Sequence, residues 1–430
     1  MGKELQKGRA VALLPLMIFL GVYLLGALIA GDFYKMPIVV AAMFASMCAV
    51  GMTRHKLLSE SIGDYSRGAT DVNIMLMIWI FVLAGAFAAS TKAMGAVDAT
   101  VALALKIIPE QFLPAGIFIA ACFTSLSVGT SVGTIVALTP IASAVAVQTG
   151  CSTPWMAAIV VGGALFGDNL SFISDTTIAA TRTQGCTMRD KFRTNFLIVA
   201  PAALITLAIY IFSNNQEIAY AHQVADVAWY TILPYILVLI AAFMGVNVLI
   251  VLVLGILSSG VIGICCGKLS LVDWFATMGE GIGSLGELII ITMMAGGMLE
   301  MIRVNGGVDW IISHLTARIN SRRGAEVSIA SLVMFADVCT ANNTVAIISV
   351  GGIVRQIAER FGISPRRAAS IMDTFSCFIQ GLLPYGAQLL MAAGLASISP
   401  IEIISYLYYP LIMGGCAIIA VIIQWPRYNK

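Results

Sequence analysis

One polar stretch, Gly162 to Thr183, contains side chains that could bind a cation inside an otherwise apolar chain. It carries two carboxylates seven residues apart, together with amide and hydroxyl groups: Asp168, Asn169, Ser171, Ser174, Asp175 and Thr176. Oxygen ligands of this kind suit a hard cation such as Na⁺, and a carboxylate can instead hold a proton. Such groups are costly at membrane depth and usually mark an ion or substrate pathway. The stretch therefore predicts a pathway of that kind.

The composition places this stretch in a membrane. The chain has 430 residues, of which 59% are hydrophobic and 11% charged, and its mean hydropathy is +0.95. Soluble domains carry about 25% charged residues. Several apolar runs are close to the 20 residues that cross a bilayer. We therefore predict an all-α polytopic membrane protein, in which residues 11–30 form a first span rather than a cleaved signal peptide.

Other classes of protein are not indicated. The sequence has no HExxH motif, no P-loop and no histidine in a predicted span that could pair with a serine, so we expect no enzymatic activity. We expect no cofactor apart from transported Na⁺. The basic loops need only the positive-inside rule to explain them, so nucleic-acid binding is not expected. The expected partners are membrane lipid, Na⁺ and H⁺.

The chain reads as two halves, residues 1–220 and 221–430, with the same order of elements. Ala84-Gly85 matches Ala295-Gly296, and Gly95 matches Gly306, at an offset of 211. Each half is predicted to contain a helical hairpin (about 112–148 and 326–354). A broken transmembrane helix follows each hairpin (about 154–181 and 368–396). The repeat predicts that corresponding elements build one site.

The positive charges predict the orientation of these elements. Of the 24 Lys and Arg residues, 20 fall in the two termini and in loops 53–70, 182–194, 303–325 and 355–367. If these segments are cytoplasmic, each hairpin must enter and leave on one side, so both are re-entrant, from opposite sides. This arrangement is an inverted-topology repeat, which is typical of secondary transporters. We expect a multi-pass protein of the cytoplasmic membrane with both termini in the cytoplasm.

Four interruptions of the spans should meet near mid-membrane, because irregular backbone is tolerated there only when it is buried or lines a cavity. They are the hairpin tips Ser127–Thr134 and Thr340–Thr344, and the breaks Asp168–Asp175 and Gly381–Gly386. Besides the residues named above, they and their flanks supply further candidate ligands: Thr130, Ser131, Thr134, Asn342, Asn343, Thr344, Asp373, Gln380 and Gln388.

Several of these residues also have a structural interpretation. Asp168 and Asp175 could cap broken helix ends, and Asn342, Asn343 and Thr344 could be turn residues. Asp337 and Asp373 fit a site or a structural ion pair equally well. Gln380, Tyr385 and Gln388 could contact a solute.

The motif G-x-x-F-G-D-N-L-S-x-x-S-D-T-T, from Gly163 to Thr177, resembles the signature of the NhaC-type sodium/proton antiporter family. The segment G-T-S-x-G-T, from Gly129 to Thr134, is also similar to that family. One departure is Phe172, where the family commonly has proline; the proline occurs instead at the repeat-related Pro384. The resemblance extends to the wider ion-transporter superfamily, which includes the divalent-anion/sodium symporters.

The resemblance implies a transport domain that moves as an elevator, and a homodimer. It also implies two half-sites, the first formed by Thr130, Ser131, Asp168, Asn169, Ser174, Asp175 and Thr176, and the second by Asn342, Asn343 and Thr344. Sodium is expected at Asp168, Asp175, Asn342 and Thr344.

The leading functional hypothesis is exchange of Na⁺ for H⁺, which would compete for Asp168 and Asp175 during alternating access. The second is Na⁺-coupled transport or exchange of a small organic anion or amino acid, with Asn342, Asn343 and Gln388 as solute ligands. An ion channel ranks third, because charged broken helices in inverted repeats are typical of transporters.

Overall fold

The computed structural model describes residues 9–426 apart from 31–36, 54–55, 108, 110–111, 172–173, 213–227, 245 and 317–318. Its first half, after a 3₁₀ turn at Ala10–Leu13, consists of ten helices: α1 (Leu14–Ala30), α2 (Ile38–Gly51), α3 (Leu58–Ala69), α4 (Val72–Ala93), α5 (Ala96–Ile107), α6 (Leu113–Val128), α7 (Ser131–Thr149), α8 (Thr153–Leu170), α9 (Asp175–Gln184) and α10 (Met188–Phe212).

The second half begins with a 3₁₀ turn at Trp229–Ile232. Its helices follow in a similar order: α11 (Leu233–Phe243), α12 (Val248–Cys265), α13 (Leu271–Ser284), α14 (Gly286–Val304), α15 (Gly307–Thr316), α16 (Arg322–Thr340), α17 (Asn343–Arg360), α18 (Pro365–Gln380), α19 (Ala387–Ala396), α20 (Pro400–Ile404) and α21 (Tyr408–Ile422).

Within the described residues, five candidate membrane spans are long and apolar enough to cross a bilayer: Ile74–Ala93, Ser131–Thr149, Thr153–Gln184, Met188–Phe212 and Val248–Cys265. The pair α13–α14, bent by 40°, makes a sixth if it counts as one span. Many large apolar side chains lie on the outside, among them Ile29 and Leu204, as expected where lipid is the solvent. The prediction of an all-helical, multi-pass membrane protein is confirmed.

Helix ends fall at all four predicted interruptions. The first hairpin turns between α6 and α7, and the second between α16 and α17. The breaks lie between α8 and α9 and between α18 and α19. Phe172, the departure from the antiporter motif, lies outside the described residues. Hydropathy located these breaks because Gly, Pro and polar residues interrupt the apolar runs there.

The structure differs from the sequence prediction at α3. Helix α3 was expected to be a loop, because its Glu, Asp and Arg side chains give it little hydropathy, although they suit an amphipathic helix. Helix α13 begins at a capping box formed by Ser270 and Asp273.

The backbone of the two halves turns left-handed at matching places. Four such pairs occur at an offset of 211 or 212 residues: Gly95 and Gly306, Gly129 and Ala341, Gly150 and Gly362, and Gly185 and Ser397. Each of these residues lies just after the end of a helix. A left-handed residue there ends the helix, because it allows the last carbonyl groups to accept hydrogen bonds. The helices of the two halves therefore stop at equivalent positions.

Two pairs of glycines bring helices from different halves into backbone contact. A Cβ atom on Gly68 of α3 would lie 2.5 Å from the carbonyl oxygen of Gly296 in α14. A Cβ atom on Gly85 of α4 would collide with the carbonyl oxygen of Gly281 in α13, and the reverse also holds. Gly85 and Gly296 are 211 residues apart, the offset found in the sequence, and each contact joins a helix of the first half to a helix of the second. Small residues of this kind allow close helix packing in membranes.

Replacing Ala341 with glycine is expected to stabilise the protein. Ala341 ends α16 with φ 49°, a conformation that costs a residue with a Cβ atom about 1–2 kcal/mol. Glycine removes this cost, but it makes the unfolded chain more flexible, so folding loses more conformational entropy. We therefore expect the free energy of unfolding to rise by about 0.5–1 kcal/mol. Thermal unfolding in detergent measures it. As a control, Ala336→Gly within α16 should lower the melting temperature, and a lower value for Ala341→Gly would contradict the prediction.

Two basic residues assigned to cytoplasmic loops are instead buried in ion pairs. Arg367 of α18 donates to Glu326 of α16 at 2.9 Å, and to the carbonyl oxygens of Ala420 and Trp425. Lys191, in the first turn of α10, contacts Asp373 of α18. Counting charges cannot distinguish a basic residue in a loop from one that lies in a helix and is buried. The prediction that Arg367 and Lys191 lie in loops is therefore wrong.

Candidate functional site

Asp168 lies in the last turn of α8, where the broken helix meets the tip of the first hairpin. Its side chain is 4% exposed, and its Oδ1 accepts a hydrogen bond from the backbone N–H of Ser131 at 2.9 Å. Ser131 is the first residue of α7. The carboxylate therefore lies at a helix N-terminus, where free N–H groups and the helix dipole favour negative charge.

A chain of hydrogen bonds connects this hairpin tip with the other one. Gln388 of α19 donates to the Ser131 hydroxyl at 3.0 Å. Gln380, at the end of α18, donates to Gln388 at 2.8 Å and to the carbonyl oxygen of Ala341 at 3.2 Å. Both glutamines are buried. The side chains that sequence analysis named as possible solute contacts therefore join the two tips.

The carbonyl groups freed at the end of α8 receive side-chain donors. The hydroxyls of Thr176 and Thr177, in α9, donate to the carbonyl oxygen of Asp168 at 3.2 and 3.4 Å. Lys191 and Asn195 donate to the carbonyl oxygen of Asn169 at 2.6 and 3.1 Å. Unpaired carbonyls at membrane depth would be costly, so these four donors stabilise the broken helix.

Asp373 forms a fully buried ion pair with Lys191. Their charged atoms are 2.6 Å apart, with side-chain exposures of 0% and 1%. Asn195 also donates to Asp373, at 2.9 Å. Sequence analysis singled out Asp373 but missed Lys191 and Asn195. Lys191 lies within the basic segment 182–194 and Asn195 directly follows it, so neither stood out from its neighbours in the sequence.

Asp175 occupies a different environment from Asp168. It is the first residue of α9, after Ser174 at the N-cap, and its side chain is exposed. The Ser174 hydroxyl lies 2.9 Å from that of Thr176, and the Ser171 hydroxyl donates to the carbonyl oxygen of Leu126. The two carboxylates therefore flank the break but are not equally buried.

The polar residues of both hairpin tips form hydrogen bonds within the tips themselves. The side chain of Asn342 caps α17 by accepting a hydrogen bond from the N–H of Val345 at 3.0 Å, and Asn343 Oδ1 accepts one from Thr344 at 3.0 Å. In the first tip, Thr130 occupies the N-cap position of α7, and the Thr134 hydroxyl donates to its carbonyl oxygen. Capping and ligand binding are compatible at these positions.

A cavity of about 1030 Å³ reaches the second hairpin tip. Thr340, Ala341 and Asn342 line it at the tip. Charged residues from α3, α14 and α15, and from the position just before α4, also line it: Arg67, Asp71, Glu300, Arg303 and Asp309. Arg303 and Glu300 form an ion pair, as do Arg67 and Asp64. The volume is that of a small-molecule site, and its lining contains charges of both signs.

Asp337, in the last turns of α16, is buried near the same tip. Its side chain is 0% exposed, and in the described part of the chain neither carboxylate oxygen has a hydrogen-bond partner. Tyr385 donates to the carbonyl oxygen of the adjacent Val338 at 2.7 Å. A carboxylate without partners is rare in an interior, and a proton or cation would satisfy it.

Glycines of the signature motif bring α8 against α6. A Cβ atom on Gly163 would lie 2.5 Å from the Cβ of Ala121, and one on Gly167 would lie 2.5 Å from the backbone carbonyl carbon of Ser125. The Ser125 hydroxyl donates to the carbonyl oxygen of Ala164 at 2.6 Å. The motif thus packs the hairpin arm directly against the helix that carries Asp168.

The broken helix ends of this apolar bundle bring together a buried carboxylate, a buried ion pair and buried amides. This combination is typical of membrane transport proteins. The profile of the Na⁺/H⁺ antiporter family matches residues 7–215 and 217–425. The chain therefore belongs to this family, which confirms the resemblance seen in the sequence.

Three relatives align over most of the chain. The Na⁺/H⁺ antiporter NhaC of Alkalihalophilus pseudofirmus is 25% identical over 86% of this chain and 84% of its own. The malate-2H⁺/Na⁺-lactate antiporter of Bacillus subtilis is 22% identical over 96% and 94%. The anaerobic C4-dicarboxylate transporter DcuC of Escherichia coli is 24% identical over 84% and 85%.

Among solved structures, the YdaH transporter of Alcanivorax borkumensis aligns over 97% of this chain and 99% of its own, with a TM-score of 0.42 and 12% identity. The three relatives described above are named as antiporters or transporters. The chain is accordingly a secondary transporter and not an enzyme.

Proposed function

We propose that the protein exchanges Na⁺ for H⁺ across the cytoplasmic membrane, with Asp168 as the carboxylate for which the two cations compete. The observation that carries this proposal is the position of Asp168, which is buried between a broken helix and a hairpin tip. Its contact with Ser131 continues to the second tip through Gln388 and Gln380. A cation bound at Asp168 would therefore be coupled to both hairpins.

Sodium would bind to Asp168 with help from Asp175, Asn342 and Thr344. We further propose that residues 1–220 and 221–430 form inverted repeats, each with a re-entrant hairpin and a broken helix, in a homodimer that works as an elevator with both termini in the cytoplasm. The two ranges matched by the family profile, the paired left-handed residues and the glycine contacts between the halves support the repeat.

The experiment that tests this function uses proteoliposomes with a trapped pH dye. Pulses of NaCl, LiCl and KCl are applied without any organic solute. We expect Na⁺ to change the internal pH, whereas K⁺ should have no effect. If no cation changes the pH until an organic anion or amino acid is added, the second hypothesis replaces the first.

That second candidate is Na⁺-coupled transport or exchange of a small organic anion. The cavity at the second tip supports it, because about 1030 Å³ far exceeds the space that one ion needs. Arg67 and Arg303 provide positive charge in its lining, and Asn342 provides an amide at its inner end. Two relatives are named for malate, lactate or C4-dicarboxylates. An amino acid would also match a lining with charges of both signs.

Replacing Asn342 with aspartate distinguishes the two candidates. Aspartate caps a helix as well as asparagine does, so the hydrogen bond to Val345 should persist. The added negative charge would repel an anionic solute, and we expect its KM to rise about tenfold or more, which corresponds to about 1.4 kcal/mol. Radiolabelled dicarboxylate uptake measures this. An unchanged KM would exclude an anion from the tip, and Asn342→Ser serves as a neutral capping control.

A further inference from the structure

The ammonium group of Lys191 lies among oxygen atoms from three helices. Its Nζ is 2.6 Å from Asp373 Oδ2, 2.6 Å from the carbonyl oxygen of Asn169 and 2.7 Å from the Thr177 hydroxyl. These atoms belong to α18, α8 and α9, while Lys191 itself lies on α10. An ammonium has three N–H donors, and each has one of these acceptors.

These acceptors are also a ligand set for an alkali cation. They comprise a carboxylate, a hydroxyl and a carbonyl freed at a helix C-terminus, the negative end of the helix dipole. Discontinuous membrane helices use such carbonyls to coordinate Na⁺. The centre is buried, as the side chains of Lys191, Asp373 and Thr177 are each at most 2% exposed.

Neighbouring residues hold the oxygens in place independently of the lysine. Asn195 donates to both the Asn169 carbonyl oxygen and Asp373 Oδ2. In addition, the buried side-chain oxygens of Asn169 and Asn195 accept no hydrogen bond within the described residues. The site therefore has fixed ligands as well as spare oxygen atoms nearby, more than a single ammonium requires.

We propose that this centre is an alkali-cation site whose resident occupant is the ammonium of Lys191. The tethered charge neutralises Asp373 permanently, so the wild-type protein binds no mobile cation there. The site uses a different carboxylate from the one proposed at Asp168, and the inference does not depend on Na⁺/H⁺ exchange. It predicts that removing the lysine charge creates a new Na⁺ or Li⁺ site at Asp373.

The test measures thermal unfolding in detergent with Na⁺, Li⁺ or N-methylglucamine at equal ionic strength. Lys191→Gln leaves Asp373 without its cationic partner, so this variant should be unstable in N-methylglucamine. Na⁺ should raise its melting temperature by about 5 °C more than that of the wild type. Lys191→Gln/Asp373→Asn should lose this additional response, because no carboxylate remains. Lys92→Gln, at an exposed lysine of α4, is the matched control and should respond as the wild type does.

Each other outcome overturns the proposal. An equal Na⁺ response in Lys191→Gln and the wild type would mean that no site was created, and an equal response in the double variant would place the cation elsewhere. If the double variant accumulates but Lys191→Gln does not, even in high Na⁺, then Na⁺ does not replace the ammonium. If neither variant accumulates, the neutral double variant is not tolerated. The proposal requires that it is tolerated, so this outcome also contradicts the proposal. Adding Asp168→Asn to Lys191→Gln should preserve the new response, so failure of exchange at Asp168 is distinguishable.

Discussion

Asp168→Asn is expected to reduce Na⁺-driven proton movement to that of protein-free liposomes. Asparagine has nearly the same shape, and its side-chain oxygen can still accept the hydrogen bond from the Ser131 N–H group. The fold should therefore be retained. Under the proposed competition of Na⁺ and H⁺ for Asp168, the substitution removes both the negative charge that would attract Na⁺ and the group that would bind the proton.

The measurement is the pH-dye assay in proteoliposomes, with protein content and melting temperature determined for each variant. Asp98→Asn is the matched control, because Asp98 is an exposed carboxylate of α5 that accepts a hydrogen bond from the Gln148 side chain. It should exchange at the wild-type rate. Exchange by Asp168→Asn at more than a small fraction of that rate would show that another group carries the proton, and Asp337 would then be examined first.

Gly167→Ala is expected to cause a large loss of folded protein. The added Cβ atom would meet the side chain of Ser125 and lie 2.5 Å from its backbone carbonyl carbon. The backbone of α6 cannot yield without moving the hairpin tip. Overpacking of this kind costs about 1–3 kcal/mol or more, and the displacement would also disturb the contact between Ser131 and Asp168.

Fluorescence-detected size-exclusion chromatography and unfolding in detergent would measure this loss. Gly415→Ala in α21 is the control, because open space surrounds that position, and it should behave as the wild type does. Adding Ser125→Gly should not rescue Gly167→Ala, because the backbone of Ser125 remains in the way. Wild-type yield and transport by Gly167→Ala would mean that α6 and α8 do not pack as closely as the structure indicates.

The positions of the helix breaks could be predicted from sequence because each break has a local chemical cause. Gly129 ends α6 in a left-handed conformation, and Pro384 lies between α18 and α19. Apolar runs also identified most of the long helices. Helix α3 was missed because it is polar and only 12 residues long, and hydropathy measures transfer into lipid rather than helix formation.

The partners within the site could not be predicted, since they depend on how distant helices pack. Lys191 and Asp373 are 182 residues apart, and only the packing of α10 on α18 brings them together. Likewise, the link from Gln388 to Ser131 joins residues 257 apart. Sequence analysis identified Asp373 and both glutamines by their polarity in apolar surroundings. Their hydrogen-bond partners required the structure.

The glycine contacts between the halves have a consequence for biosynthesis. Gly85 of α4 touches backbone in α13, and Gly68 of α3 touches backbone in α14, so neither α3 nor α4 can complete its packing while only the first half has been made. These two helices must wait in the bilayer or the insertion machinery until the later pair arrives. Substitutions at the four glycines of these contacts should therefore lower the yield and speed the degradation of newly made chains, before any transport cycle takes place. The four are Gly68, Gly85, Gly281 and Gly296.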